Sequence, residues 1–157
     1  MEIKRFAKAN AAVWNSFVKE AKNATFLFDR GYMDYHTDWV FVKSMPLFPN
    51  HIQLFEIRNQ GLLGGTIIYS TPLATHAQYT SATHLGMGAL DVLFHNLLNA
   101  VFTEKAYFSF GIPNGEPHQA LNRGLVNWRE RFGARTFAIN IYQIDTENHH
   151  TLLSSYE

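Results

Sequence analysis

His76, Gln78 and Thr80 occupy every second position of a run from Ala74 to Ser81 whose β-branched and aromatic content reads as a strand. Alternation along a strand puts these three on one face, and Ala77 and Tyr79 on the other. A neutral imidazole near pH 7 can accept a proton, so His76 is the leading candidate for a general base. Its plainer reading is a histidine hydrogen-bonded inside the sheet. Glu56, on an earlier strand, is the second candidate base, with an ordinary exposed strand carboxylate as its plainer reading.

A second set of residues follows directly. Thr83-His84-Leu85-Gly86-Met87-Gly88 precedes Ala89, Leu90, Val92, Leu93, Leu97, Leu98 and Val101, an apolar set at helical spacing. Two glycines at the start of a helix let backbone N–H groups approach an anion at the positive end of the helix dipole. They serve equally well in a tight structural turn, and both readings stay open. Other chemistries lack their residues. With no cysteine in 157 residues the chain has no disulfide, thiolate metal site or cysteine nucleophile. There is no Gly-x-Ser-x-Gly, no Walker lysine and no His-Glu-x-x-His; His149-His150 stands too isolated for a metal, so none is expected.

Around these residues the periodicities set out an order of elements. Ile3 to Phe6 is a short strand, and Asn10 caps a helix carrying Val13, Trp14, Phe17 and Val18 on one face. A second helix runs from about Asp29 to Asp38, and Met45-Pro46-Leu47-Phe48-Pro49 breaks the pattern. His51 to Arg58 and Leu62 to Tyr69 form a hairpin about Asn59-Gln60-Gly61. After the strand 74–81 and the long helix come a strand at Tyr107 to Gly111, a loop at 112–117, and a helix from His118 to Phe132 stopped by Gly133. Arg135 to Ile144 is a closing strand. The resulting fold class is α/β with a mixed sheet, in the order β-α-α-β-β-β-α-β-α-β.

That order resembles the GNAT acyltransferase superfamily. Residues 23–36, Asn-Ala-Thr-Phe-Leu-Phe-Asp-Arg-Gly-Tyr-Met-Asp-Tyr-His, look like the N-terminal signature of bacterial GNAT-like proteins related to the FemAB transferases. Ala74-Thr75-His76-Ala77-Gln78-Tyr79, Gly88-Ala89-Leu90-Asp91, Phe110-Gly111-Ile112, Leu121-Asn122-Arg123-Gly124-Leu125 and Phe132-Gly133-Ala134-Arg135 extend the likeness. Relatives of that kind carry two GNAT-like halves. This chain resembles their first strand and helices joined to their second half, as one GNAT-like domain over 1–145 with a polar tail at 146–157. The loop Pro113-Asn114-Gly115-Glu116-Pro117 departs from the family pattern.

The resemblance implies acyl-CoA, with acetyl-CoA as the simplest case, as co-substrate and an amine as acceptor. Thr83, Gly86, Met87, Gly88 and Ala89 would hold the pyrophosphate, although Thr83 stands where an Arg or Gln is usual. His76 or Glu56 would take the proton of the attacking ammonium, and Tyr142 could give one to the leaving thiolate, or simply pack. Asn122 would contact the cofactor and Arg129 the substrate, as would Gln78 and the cluster Tyr32, Tyr35 and His36. Surface amides, ion pairs and an amphipathic helix are the plainer readings of these.

Thirteen basic and thirteen acidic residues leave no net charge, which disfavours DNA, tRNA and anionic membranes as partners. No apolar run approaches a bilayer span and the start lacks a signal-peptide core, so a cytoplasmic protein is expected. A single unit without its second half should expose apolar surface, for which a homodimer is the simplest cover. A non-catalytic GNAT-like binding or assembly module is the alternative to an enzyme.

Overall fold

The structure is a computed structural model that describes residues 1–6, 39–86, 88–113 and 121–138. Five strands make one sheet in the order β1-β2-β3-β4-β5. They are β1 (Glu2–Phe6), β2 (Ile52–Asn59), β3 (Gly61–Ser70), β4 (Ala74–Ala82) and β5 (Tyr107–Ser109). β1 to β4 form an antiparallel meander, and β5 joins β4 in parallel. The parallel pair needs a crossover, supplied by helix α1 (Ala89–Asn96), whose last turn continues as a π-helical segment over Leu97–Val101. The chain divides into two compact units, Met1–Asn114 and Gly115–Glu157; the sheet and α1 belong to the first, and helix α2 (Arg123–Glu130) to the second.

The hairpin reading of 51–69 holds, with Gln60 alone between the strands at a left-handed φ of 59°. Two irregularities interrupt the pairing. In β3, Leu63 is an extra residue between the pairs Arg58↔Leu62 and Ile57↔Gly64. In β4, Gln78 is extra between Ile68↔Ala77 and Ile67↔Tyr79. A single extra residue reverses the alternation beyond it. His76, paired with Tyr69, therefore shares a face with Tyr79, paired with Ile67, whereas Thr80 lies on the opposite face beside Thr66, Oγ1 to Oγ1 2.9 Å. The expectation that His76 and Thr80 share a face is corrected by this bulge.

Transverse rows on the His76 face follow from the register. One reads Ile52, Tyr69, His76, Ser109; the next Phe6, Leu54, Ile67, Tyr79; the third Lys4, Glu56, Gly65, Ser81. The middle row joins Val40 and Met45 in a buried apolar cluster. These two come from the helical segment Trp39–Leu47, in which Pro46 sits in the first turn of the short helix Met45–Leu47. Proline is tolerated at that position because its missing N–H has no intrahelical partner there. The expected break at 45–49 thus begins only at Phe48.

The other face is aromatic. Phe94 of α1 stacks against Phe108 and Phe110 at centroid distances of 6.1 and 5.3 Å, and Phe102 bridges Phe108 and Phe55. Ala89, Leu93, Phe94 and Leu97 make the buried stripe of the crossover helix.

Four expected elements differ or fall outside the described residues. The helix expected over 118–132 is observed as Arg123–Glu130, with Asn122 as its N-cap. The closing strand is not formed over its described part, Arg135–Ala138, where Phe137 is 83% exposed. The two N-terminal helices and the rest of that strand fall outside the described residues.

Because Phe94 is buried at the centre of the aromatic face, Phe94→Ala is expected to lower unfolding free energy by about 3–5 kcal/mol in urea titration. Val92→Ala, on the exposed side of the same helix, should cost under about 0.5 kcal/mol.

Candidate functional site

Parallel pairing of β4 with β5 covers Ala74↔Tyr107, Thr75↔Phe108 and His76↔Ser109, and there it ends, while β4 runs on to Ala82. His76 sits at the parting of the two strands. Its Nδ1 is 3.0 Å from Ser109 Oγ and its Nε2 is 3.1 Å from Gln78 Oε1. Ser109 Oγ also accepts the backbone N–H of Gly111 at 3.2 Å. Gly111, with φ of 72°, brings its backbone so close that a Cβ there would lie 3.3 Å from the imidazole Cε1.

The donors and acceptors of this cluster fix the proton on the ring. An amide oxygen only accepts, so Nε2 must carry hydrogen and donate to Gln78. In the neutral ring Nδ1 then holds the lone pair, and the Ser109 hydroxyl donates to it. The Gly111 N–H, filling one Ser109 lone pair, helps turn that hydroxyl toward the ring. Serine, histidine and glutamine thus form one connected chain of hydrogen bonds.

Glu56 is on the same face but not in this cluster. Its row lies four positions along β2 from that of His76, Ile52 to Glu56, about 13 Å along the strand direction. It is 5% exposed and its Oε2 accepts from Arg58 through both Nε and Nη2, each at 2.7 Å. The reading as an exposed carboxylate is therefore replaced by a buried carboxylate in a charge-assisted pair with a part-exposed arginine. The two candidate bases cannot act together on one atom.

The turn after β4 is anchored to the bulge in β3. Leu63 O accepts the Thr83 N–H at 2.9 Å and its hydroxyl at 3.3 Å. Gly86 is packed so tightly that a Cβ would stand 2.2 Å from the same carbonyl oxygen, and its N–H closes on Thr83 O at 3.0 Å. Gly86 is thus required by close packing. Gly88 is different: it is exposed, has φ of 81° and serves as the backbone N-cap of α1, ahead of buried Ala89. Of the expected phosphate-binding residues, Gly88 is exposed, Gly86 and Ala89 are buried, and Met87 lies outside the described residues.

In the second unit, Asn122 Oδ1 accepts the Leu125 N–H at 3.0 Å, so its side chain caps α2. Arg129 is half-buried within α2, and burial lowers its guanidinium to about 10. Tyr32, Tyr35, His36 and Tyr142 fall outside the described residues. Sequence reasoning missed Ser109, Gly111 and Arg58. No local spacing marks the first two, because only the parallel register brings them to His76; Arg58 carried a usable signal in its i, i+2 spacing from Glu56 along one strand face. Among the described residues no three His, Asp or Glu side chains gather to hold a metal, and no helix is long and apolar enough to cross a membrane.

The fold is shared with solved acetyltransferases. A ribosomal-protein-alanine N-acetyltransferase from Brucella melitensis biovar Abortus 2308 superposes with a TM-score of 0.57 at 13% identity, over 92% of this chain and 100% of that one. A possible acetyltransferase from Clostridium difficile 630 gives 0.59 at 8% identity, over 93% and 99%. A probable acetyltransferase gives 0.60 at 15%, over 92% and 99%. The mixed five-stranded sheet is accordingly GNAT-like. No family model matches the sequence, and no curated protein is similar to it.

Beside His76 in its row, burial and then the charge of Tyr79 raise the Tyr69 phenol from 10.0 to about 12. The folded state therefore keeps a proton that the unfolded chain gives up first. Stability from this group is complete below pH 10.0 and is lost as pH rises toward about 12. Tyr69→Phe should flatten that part of the alkaline stability curve, measured by denaturant midpoints at each pH.

Proposed function

We propose that the chain is an N-acyltransferase moving an acyl group from acyl-CoA to an amine of a small molecule or a cell-envelope precursor. The observation that carries this reading is the position of His76, on a GNAT-like sheet, at the residue where β4 and β5 part. An attacking ammonium must lose a proton before or during acylation, and a histidine held by hydrogen bonds at such a point is suited to receive it. The exposed helix start at Gly88 follows the turn after β4 and offers backbone N–H groups to a pyrophosphate. Thr83, turned onto Leu63 O, is engaged in the fold rather than in a ligand.

A FemAB-like transfer of an aminoacyl group from tRNA is the less favoured variant, because a chain with thirteen charges of each sign lacks electrostatic pull on a polyanion. Leu47 and Phe48, exposed to 73% and 52%, are the first unit's contribution to a proposed homodimer surface. A light-scattering mass of one chain would defeat the dimer.

Acetyl-CoA at about 100 times its dissociation constant should stabilise the protein by about 2.7 kcal/mol in thermal-shift measurement. Gly88→Val should reduce that shift more than it lowers stability in the absence of ligand. His76→Asn should cut transfer to a panel of amines by about 10²–10⁴-fold while leaving the acetyl-CoA shift in place. A protein that neither binds acetyl-CoA nor acetylates any amine would instead be the non-catalytic module.

A further inference from the structure

The lone pair on His76 Nδ1 faces the Ser109 hydroxyl, and Nε2–H is engaged by Gln78. In this arrangement the proton lying on the base is that of Ser109. A nucleophile within hydrogen-bond reach of a base, with that base oriented by a third polar group, is the arrangement of covalent acyl transfer. We infer that Ser109 is a nucleophile that carries the acyl group as an ester between donor and acceptor. The inference rests on the acyl-transfer reading only for the identity of the donor.

The geometry serves each step. Ser109 Oγ attacks the donor carbonyl and passes its proton to Nδ1; the Oγ–C bond forms, the C–S bond of a thioester breaks, and the departing thiolate takes the proton back from Nδ1. An amine then attacks the serine ester. Its nitrogen gives a proton to Nδ1, the N–C bond forms, the Oγ–C bond breaks, and Ser109 Oγ recovers its proton. While the ring is doubly protonated, Nε2–H still donates to Gln78 Oε1 and Nδ1–H to the serine oxygen, so no hydrogen bond of the ring is lost. Gly111 contributes from the other side: its N–H donates to Ser109 Oγ and holds that oxygen with its hydrogen turned toward the ring. Ser109 is exposed, and its β-strand ends there, so a donor can reach it without unpairing the sheet.

Because the chain has no cysteine, Ser109→Cys would introduce a single thiol, whose thioester is readily read by mass and by hydroxylamine release. The full chain is incubated with acetyl-CoA and, separately, with p-nitrophenyl acetate, which needs no CoA site; the reaction is acid-quenched and the peptides are analysed by mass. The expected result is a burst of released thiol or nitrophenol equal to the enzyme concentration, with one acetyl group on the peptide bearing residue 109. Wild type or Ser109→Cys should show it. Ser109→Ala, with an unchanged melting temperature, should lose both burst and adduct and fall about a hundredfold or more in turnover. Acetylation by p-nitrophenyl acetate without any response to acetyl-CoA would sink the CoA reading and sustain the nucleophile. Absence of an adduct at position 109 from both donors, in wild type and Ser109→Cys alike, overturns the inference, as does amine acetylation by Ser109→Ala at the wild-type rate.

Discussion

Three rungs of parallel pairing between β4 and β5 decide which side chain of β5 meets His76. Ser109 is the last residue of β5, and His76 is opposite it. Had the pairing slipped by one residue, the histidine would oppose Phe108 or Phe110, and the ring would have no hydroxyl beside it. The bulge at Gln78 works in the same place. It gives β4 one residue more than β3, so His76 and Tyr79 share a face, and the glutamine itself reaches back to the ring. Register and bulge together convert an ordinary strand histidine into one with both nitrogens assigned.

Much of this frame was legible in the residues. The β-branched runs at 51–58, 62–69 and 74–81 are strands because period-two alternation lets a sheet bury one side at a time, and the apolar spacing after Gly88 is a helix for the matching reason at period 3.6. The bulge was not legible. Nothing in Ala74-Thr75-His76-Ala77-Gln78-Tyr79-Thr80 marks one residue as extra, since the extra residue is defined only against its partner strand. Apolar periodicity alone puts Asn122 in a helix interior, although asparagine's ability to accept a backbone N–H three residues on favours a cap, the role it has here. Pro46 reads from sequence as a stop, yet it is a first-turn residue of the short helix.

The site was legible in part. His76 and Gln78 belong together through an i, i+2 spacing that any strand provides, whereas Ser109 lies 33 residues away and meets the ring only through the crossover. Glu56 illustrates the opposite difficulty. A carboxylate on a strand looks exposed until the residue two positions on is seen to be an arginine on the same face, whose guanidinium holds it in a buried position. The glycine turn divides by physical cause: Gly86 answers to a carbonyl pressed against it, Gly88 to a left-handed backbone facing solvent.

The aromatic face has a further consequence for motion. β5 is three residues long, and Phe108 in its middle is clasped by Phe94, Phe102 and Phe110. So short a strand has little hold of its own, and what keeps it on β4 is the ring cluster beneath it. Strand, crossover helix and ring cluster then open as one cooperative unit, so the amide of Phe108 should exchange its hydrogen no faster than those of Leu93 and Phe94. The hydroxyl on the far side of β5 inherits that slow clock, and its alignment with the imidazole persists for as long as the phenylalanines stay packed.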